Sequence, residues 1–427
     1  MTGNGNFQIT PVGWRYRWMA AMLMPFALAV SARLALRHRQ WRYLAERLGW
    51  CHSDAPHRPL WFHAASVGEV LALVPLIRAL QARDPARPVL VTTVTPTGAE
   101  IVARQLAGIA SHQYLPWDTP RAVRRFLDKT RPCCTVIMET ELWPTLYAEC
   151  ACRGIPPLII NGRISTRTQR PRRWLRDAYR SALANSCAVL ARSPADAEGF
   201  LTLGAAAGKV SVVGNIKLAP PVNTAASTGK PALHSSYVLA ASTHEDEEQR
   251  IARLWLAQPK SEHLLVIAPR HPQRGPAIAA RLRQLTSAVA VRSQGDRIEP
   301  ATRIYLADTL GEMQWLMGHA KLVVMGGSFI PHGGHNVLEP AHLGKAIITG
   351  PHMDNFSEET ALLASAGALY QVRGYSELET TLAELLGNAA RRGKLELAAR
   401  HVLAPFNSIL GTYEDAVAAH CRCLKTR

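Results

Sequence analysis

The chain has 427 residues, more than one ordinary hydrophobic core contains, so two domains of roughly 150 to 200 residues are expected. Hydrophobic residues make up 48% of the sequence, which is typical of a globular chain and excludes an intrinsically disordered one. The formal net charge of +17 at pH 7 indicates an anionic partner, either a nucleic acid or a membrane surface. The eight cysteines include no C-x-x-C pair, and their vicinal and C-x-C spacings favour reduced thiols in the cytoplasm over a disulfide framework.

An apolar run from Trp18 to Leu36 is about as long as a helix that spans a bilayer. Pro25 and Arg33 interrupt the run, and arginines and interfacial aromatics flank it on both sides. The run predicts an uncleaved signal-anchor within residues 1–48, which either spans the membrane once or lies in its interface. A buried first helix is the alternative interpretation.

Strand and helix patterns alternate along the rest of the chain, which predicts an α/β fold with parallel sheets. We expect a first domain at 49–218, a linker at 219–236 rich in proline, serine and threonine, and a second domain at 237–427. Predicted strands begin near Trp61 and lie at 88–94, 135–138, 157–160, 188–191, 210–213, 237–240, 263–268, 303–306, 322–325 and 346–349.

The stretch W-F-H-A-A-S-V-G-E-V, residues 61–70, carries the first candidate for chemistry. It starts as an apolar strand, turns through small residues and delivers Glu69 to the start of a helix. Open α/β sheets bind ligands at such strand ends, so Glu69 is a candidate general base. A carboxylate that only favours the helix dipole is the alternative.

Glu139 and Glu141 follow another predicted strand, beside Trp143, in the sequence E-T-E-L-W-P. They either belong to the same site or cap the helix that follows.

Further along, arginines interleaved with aromatics between 163 and 180 form a basic amphipathic segment. Such a segment suits a membrane surface or a nucleic acid.

Polar and glycine-rich motifs follow successive strands of the second domain. Arg270, in P-R-H, offers a planar fork to a phosphate. The motif at 308–313 opens a helix whose free N–H groups suit an anion. Glycine turns follow at 326–328 and 333–339. Together these motifs predict a site for an anionic ligand.

His332 and His335 raise the question of a metal site, together with Glu339 and His342. Their spacing is not the i, i+4 pair of H-E-x-x-H sites, and the two glycines between them indicate a turn. We therefore expect no metal ligands here.

In this order, the motifs resemble those of the 3-deoxy-D-manno-octulosonic acid (Kdo) transferases of Gram-negative lipopolysaccharide synthesis. The resemblance covers essentially the whole chain. The motifs are H-A-A-S-V-G-E, T-T-V-T-P-T-G-A-E, M-E-T-E-L-W-P, V-G-N-I-K, A-S-T-H-E-D-E-E, A-P-R-H-P, D-T-L-G-E-M, G-G-S-F, G-G-H-N-V-L-E-P-A and G-P-H-M-D-N-F.

The resemblance implies an inverting glycosyltransferase of the B-type fold, with two Rossmann-like domains facing across a cleft and an N-terminal membrane anchor. The second domain would bind the donor, CMP-Kdo. The first would bind the acceptor, the lipid A precursor lipid IVA, at the cytoplasmic face of the inner membrane. Anionic inner-membrane lipids, and not nucleic acid, would be the other partners. No cofactor or metal would be needed, because an arginine and helix N-termini can stabilise a single phosphate.

The resemblance also assigns residues. Glu69 would be the general base, and Glu139 or Glu141 would support the transition state together with Lys217. Contacts with CMP would fall on Pro269, Arg270, Gly311, Glu312, Met313, Asn336, Val337, Leu338 and Glu339.

The chain departs from the family pattern at few positions. Asp246 stands where the family usually has the glycine of H-E-G-E-E, Thr145 replaces a common asparagine, and Leu218 and Ala219 replace an aromatic and an acid. Two alternative functions remain open. A soluble nucleotide-sugar epimerase of the same fold would have no use for an anchor, and a basic binding protein without catalysis would not explain the strand-end motifs.

Overall fold

The computed structural model consists of two compact α/β units and describes residues 9–37, 41–51, 56–165, 168, 171–220, 233, 236–258 and 262–421. Unit 1 contains residues 1–219 and 408–427, and unit 2 contains residues 220–407. Most of the predicted linker at 219–236 lies outside the described residues.

Unit 1 is built on a parallel sheet. Its described strands are β1 Leu60–His63, β2 Val89–Thr93, β3 Ala110–Tyr114, β4 Cys134–Met138, β5 Leu158–Gly162, β6 Ala188–Ala191 and β7 Val210–Val212. Its described helices before the second unit are α1 Trp14–Arg37, α2 Trp41–Arg47, α3 Val67–Arg83, α4 Pro96–Gln105, α5 Pro120–Thr130, α6 Pro144–Cys152, α7 Arg173–Ala184 and α8 Pro194–Leu203. The strand order is β3-β2-β1-β4-β5-β6-β7, so the direction of winding reverses between β1 and β4. The crevice at such a switch point is where open α/β sheets bind ligands.

Unit 2 repeats this architecture. Its described strands are β8 Tyr237–Thr243, β9 Leu264–Pro269, β10 Val289–Val291, β11 Ile304–Leu306, β12 Leu322–Met325, β13 Ala346–Thr349 and β14 Leu369–Gln371. Its described helices are α9 Glu247–Ala257, α10 Gly275–Arg283, α11 Met313–His319, α12 Leu338–His342, α13 Ser357–Ser365, α14 Tyr375–Gly387 and α15 Ala389–Leu403. The order β10-β11-β9-β8-β12-β13-β14 places the switch point between β8 and β12.

The last helix, α16 (Ile409–His420), belongs to unit 1, so the predicted second domain, 237–427, extends too far. The hydroxyl of Tyr413 donates a hydrogen bond to the carbonyl of Gly214, 2.7 Å away. Cys421, directly after the helix, forms a disulfide with Cys134 of β4. The prediction of reduced thiols is therefore wrong for this pair, because local spacing does not reveal a bond between partners 287 positions apart.

Helix α1 forms as predicted, and its inner side packs on unit 1. Tyr16 donates a hydrogen bond to Asp118 at 2.7 Å, and Ala35 is buried against Tyr43 and Tyr114. Among the helices that the structure describes, none is both long and apolar enough to cross a membrane. The membrane-spanning form of the predicted anchor is therefore not found.

Candidate active site

Glu69 lies in the first turn of α3, directly after the turn that follows β1. Ser66 caps the helix: its hydroxyl accepts from the Glu69 N–H at 3.3 Å and donates to the Glu69 carboxylate at 2.7 Å. The Ala65 N–H donates to the other carboxylate oxygen at 2.9 Å. Burial raises the pKa of Glu69 against these hydrogen bonds, and the charges of Glu139 and Glu141 raise it further. The Glu69 carboxylate thus takes part in the hydrogen bonds at the start of α3 and also has the raised pKa of a candidate base.

Glu139 directly follows β4 and has a left-handed backbone, with φ of 55°. The Lys217 ammonium donates to its carboxylate at 2.9 Å, and both side chains are largely buried. The loop that carries Lys217 is fixed because the Asn161 side chain accepts from the Ile216 N–H at 3.0 Å. The structure therefore joins two of the predicted site residues, Glu139 and Lys217, in one ion pair.

Glu141 has different neighbours. The Trp143 indole N–H donates to its carboxylate at 2.9 Å, and His63 Nε2 lies 3.5 Å from the same oxygen. The other ring nitrogen of His63 is 3.0 Å from the carbonyl of Thr92. Burial alone would raise the pKa of Glu141, but His63, Trp143 and Arg47 outweigh it, and the pKa lies below its ordinary value. Glu141 is therefore more readily ionised than an ordinary glutamate, and it lies close to the buried imidazole of His63.

The helix that follows, α6, is capped by a residue from elsewhere in the chain. The Asp118 carboxylate accepts from the N–H groups of Thr145 at 3.0 Å and Leu146 at 2.7 Å. The alternative that Glu139 and Glu141 cap this helix is therefore wrong. Sequence reasoning missed both Asp118 and His63, since neither belongs to a motif that marks a cap or a carboxylate partner.

In unit 2, Arg270 and the motif around Asn336 come together. The Asn336 side chain donates to Glu339 at 3.3 Å and accepts from the Leu338 N–H at 3.1 Å. Burial raises the pKa of Glu339, and the hydrogen bond from Asn336 and the charge of Arg270 oppose that rise. Val337 and Leu338 are buried, so neither side chain is available to a ligand.

The remaining predicted nucleotide contacts lie at the ends of β9 and β11. Pro269 is the last residue of β9 and is buried. Gly311 has φ of 87° and open space where a side chain would stand. The Glu312 carboxylate is already paired with Arg292 at 2.8 Å, so this stretch offers a ligand mainly its backbone, up to Met313 at the start of α11.

The histidines that raised the metal question lie near Arg270. The rings of His332 and His335 are 6.0 Å apart, and His244 lies within 5.1 Å of His335. In the part of the chain that the structure describes, no group of three or more His, Cys, Asp or Glu side chains is placed to hold a metal ion.

Each unit thus collects polar side chains at the carboxyl ends of parallel strands beside a switch point, which is the pattern of nucleotide-binding α/β enzymes. The crystal structure of CalG4, the calicheamicin glycosyltransferase, has the same fold: the TM-score is 0.52 with 13% sequence identity, over 85% of this chain and 98% of that chain. The predicted class, two parallel-sheet α/β domains, is confirmed.

Sequence comparison narrows the class. Residues 42–219 match the family model described as 3-deoxy-D-manno-octulosonic-acid transferase (kdotransferase). The 3-deoxy-D-manno-octulosonic acid transferase of Haemophilus influenzae is 32% identical over 405 residues, 91% of this chain and 95% of that protein. The Bordetella pertussis protein of the same name is 34% identical, over 84% of this chain and 88% of that protein. The chain therefore belongs to the Kdo transferase family, and the predicted resemblance is confirmed.

Proposed function

We propose that this chain is an inverting glycosyltransferase of lipopolysaccharide synthesis that moves Kdo from CMP-Kdo onto lipid IVA. The observation that carries the proposal is the group of three carboxylates and one lysine at the switch point of unit 1. Glu139 and Lys217 are paired there, and the charges of Glu139 and Glu141 act on Glu69. Family membership supplies the donor and acceptor classes.

In this proposal Glu69 is the general base. It takes the proton of the acceptor hydroxyl, whose oxygen attacks the anomeric carbon of Kdo while the bond from that carbon to the CMP phosphate oxygen breaks. Attack on the face opposite the leaving group inverts the anomeric centre. The raised pKa of Glu69 supports the assignment, because a stronger base accepts the proton more readily.

Lys217 and Glu139 have a positioning and electrostatic role in this proposal. Their ion pair is preformed and partly buried, so it needs no reorganisation when charge develops in the transition state. Glu141, held by Trp143 and close to His63, keeps the loop after β4 in the shape that presents Glu139.

Unit 2 would bind CMP-Kdo. Arg270 would pair with the phosphate, and the backbone at 311–313 and 336–339 would contact the nucleotide. A CMP leaving group has one phosphate, so a guanidinium and backbone N–H groups suffice to stabilise it. The proposed reaction therefore uses neither a metal ion nor another cofactor.

We also place the protein at the cytoplasmic face of the inner membrane, with α1 in the interface. Trp14, Trp18 and Phe26 on α1 are 67%, 65% and 71% exposed and lie on one helical face, at spacings of four and eight residues. Helix α1 packs against α7, whose exposed side chains include Arg173 and Arg176. Apolar and basic surfaces thus lie side by side, as an anionic lipid surface requires.

The direct test is incubation of the full chain with CMP-Kdo and lipid IVA, followed by mass spectrometry of the lipid. We expect a mass increase of one or more Kdo residues and stoichiometric release of CMP, and the same product in the presence of a metal chelator. Hydrolysis of CMP-Kdo without a lipid product would contradict the proposed acceptor. Activity lost to the chelator and restored by one divalent ion would contradict the metal-independent reaction.

A further inference from the structure

Four histidines of unit 2 gather at its switch point. His244 follows β8, His271 follows β9, and His332 and His335 lie in the loop after β12. These three strands are neighbours in the sheet, with β8 in the middle. The ring centroid of His244 is 4.0 Å from that of His332, 5.1 Å from His335 and 5.7 Å from His271. Three imidazoles therefore surround the ring of His244, and the four rings come from three separate strand ends.

His244 and His335 form a hydrogen bond with each other. Nε2 of His244 and Nε2 of His335 are 2.8 Å apart, so one nitrogen must donate and the other accept. Burial lowers the pKa of each imidazole to about 4, and the neighbouring histidines and Arg270 add to the effect. The imidazoles of His244 and His335 are thus neutral near pH 7, and they face cationic side chains.

The carboxylates around the cluster are engaged elsewhere. Both oxygens of Glu247 accept backbone N–H groups, from His244 at 2.9 Å, Gly327 at 2.7 Å and Phe329 at 3.1 Å. Other charged side chains also have partners, namely Glu248 with Arg274 at 2.9 Å and Glu339 with Asn336 at 3.3 Å. Because these acids already have partners, an anionic ligand is the natural counter-charge for Arg270 and for a protonated imidazole of the cluster.

We infer that His244, His271, His332 and His335, together with Arg270, form the subsite for the acidic group of the donor, and that the cluster takes up a proton when this group binds. The inference rests on the proposed function, since it assigns a part of CMP-Kdo to these residues. Arg270 acts on the charge of both His335 and Glu339, so the cluster is continuous with the proposed CMP contacts.

Binding of the anion is accompanied by proton uptake for an electrostatic reason. Burial and nearby positive charge disfavour the imidazolium, and an anion within hydrogen-bond distance favours it. Binding of an anion therefore raises the pKa of His244 and His335 above their values in the free protein. The acidic group has two possible sources in the donor, the phosphodiester and the carboxylate of the sugar acid, and both are permanently anionic in this pH range.

The experiment is titration calorimetry of the full chain near pH 7, repeated in buffers of different ionisation enthalpy. The first ligand is cytidine 5′-(methyl phosphate), because a phosphate monoester such as CMP would itself titrate near pH 6. The second ligand is free Kdo, which carries only the carboxylate. We expect uptake of up to one proton per ligand bound, and an affinity that falls by up to about tenfold for each unit of pH between the pKa of the free imidazoles, about 4, and their higher pKa in the complex.

Variants assign the proton to the cluster. His335→Gln and the exposed His332→Gln should lose the uptake, whereas His401→Gln, an exposed histidine on α15, should keep it. Uptake with the phosphodiester assigns the subsite to the phosphate, and uptake with Kdo alone assigns it to the carboxylate. Binding without proton exchange, or uptake unchanged in both cluster variants, would overturn the subsite while leaving the proposed function intact. No binding of either ligand would overturn the proposed donor and the subsite with it.

Discussion

The hydroxyl of Tyr413 and the carbonyl of Gly214 form a 2.7 Å hydrogen bond between residues 199 positions apart. Gly214 belongs to the same loop as Lys217, and Tyr413 lies on α16. Cys421, at the end of that helix, is joined to Cys134 of β4, the strand that leads directly to Glu139. The C-terminal helix thus holds both segments that form the Glu139–Lys217 pair.

Replacement of Tyr413 by phenylalanine should weaken both the fold and the site. The Gly214 carbonyl loses its donor, which costs about 0.5 to 1.5 kcal/mol of unfolding free energy. We expect a lower kcat as well, because the Lys217 loop is less well fixed, with unchanged affinity for CMP. Tyr43→Phe is the control, since Tyr43 also donates to a carbonyl, that of Val94 at 3.2 Å. An equal fall of kcat in both variants would show a general loss of stability instead.

Glu69→Gln should retain the fold and CMP binding but reduce kcat by roughly 10²- to 10⁴-fold, the usual contribution of a general base. In the unmodified chain only the ionised carboxylate acts, so kcat should fall as pH drops below the pKa of Glu69, which lies above its ordinary value. This acidic limb should be absent from the residual activity of the variant. Glu100→Gln, on the exposed side of α4, is the control. Near-normal turnover of Glu69→Gln would remove Glu69 from its proposed role.

The central strands and the edge strand β7 could be predicted from the sequence, whereas three other edge strands, β3, β10 and β14, could not. The predicted strands at 188–191, 322–325 and 346–349 agree with β6, β12 and β13. Strand β3 was missed because its sequence, A-S-H-Q-Y, is polar and half exposed at the edge of the sheet. Strands β10 and β14 were also missed; each has three residues, is only partly buried and lies at an edge of the second sheet.

The candidate site, like the set of strands, could be predicted only in part. Glu69 and Glu139 are marked by local sequence, because each directly follows an apolar strand or its turn. Their partners are not marked: the pairing of Lys217 with Glu139 spans 78 positions, and His63 looks like any other residue of a buried strand. Contacts of this kind depend on strand order, which local periodicity does not encode.

Asp246→Gly should stabilise the protein. Asp246 has φ of 72° and ψ of −31°, a conformation that favours glycine, and its side chain makes no capping hydrogen bond to α9. Relief of this strain, less the extra entropy of glycine in the unfolded chain, should add about 0.5 to 1 kcal/mol. The measurement is the midpoint of urea unfolding. Asp246→Ala, which keeps a Cβ, should give no such gain, and an equal gain from alanine would contradict the backbone explanation.

Arg270→Ala should weaken CMP binding by about 1.5 to 3 kcal/mol, the range for a hydrogen bond to a charged group. The guanidinium is exposed at the end of β9, so the substitution should not alter the fold. Calorimetry with CMP measures the change, and Arg253→Ala, an exposed arginine on α9, is the control. Equal CMP affinities of the variant and the unmodified chain would move the phosphate contact away from Arg270.

Binding to anionic vesicles should have an apolar contribution and an ionic contribution. Only the ionic contribution should weaken as the salt concentration rises. Each basic side chain near an anionic surface contributes about 1 kcal/mol, and about 1 M salt shortens the screening length to about 3 Å. The contribution of Trp14, Trp18 and Phe26 depends on buried apolar area and does not weaken in this way. The full chain should therefore sediment with phosphatidylglycerol vesicles even in high salt.

The triple variant Trp14→Ser, Trp18→Ser and Phe26→Ser should bind the same vesicles at low salt and leave them as salt rises. The substituted side chains are exposed, so α1 should stay packed through Tyr16 and the fold should be unaffected. Leu397→Ser, which removes an exposed apolar side chain from unit 2, should behave like the unmodified chain because α15 is not part of the proposed membrane surface. Release of the unmodified chain by high salt would show that only charge holds it. Tight binding of duplex DNA with no affinity for the vesicles would instead assign the arginines of α7 to nucleic acid and contradict the proposed membrane location.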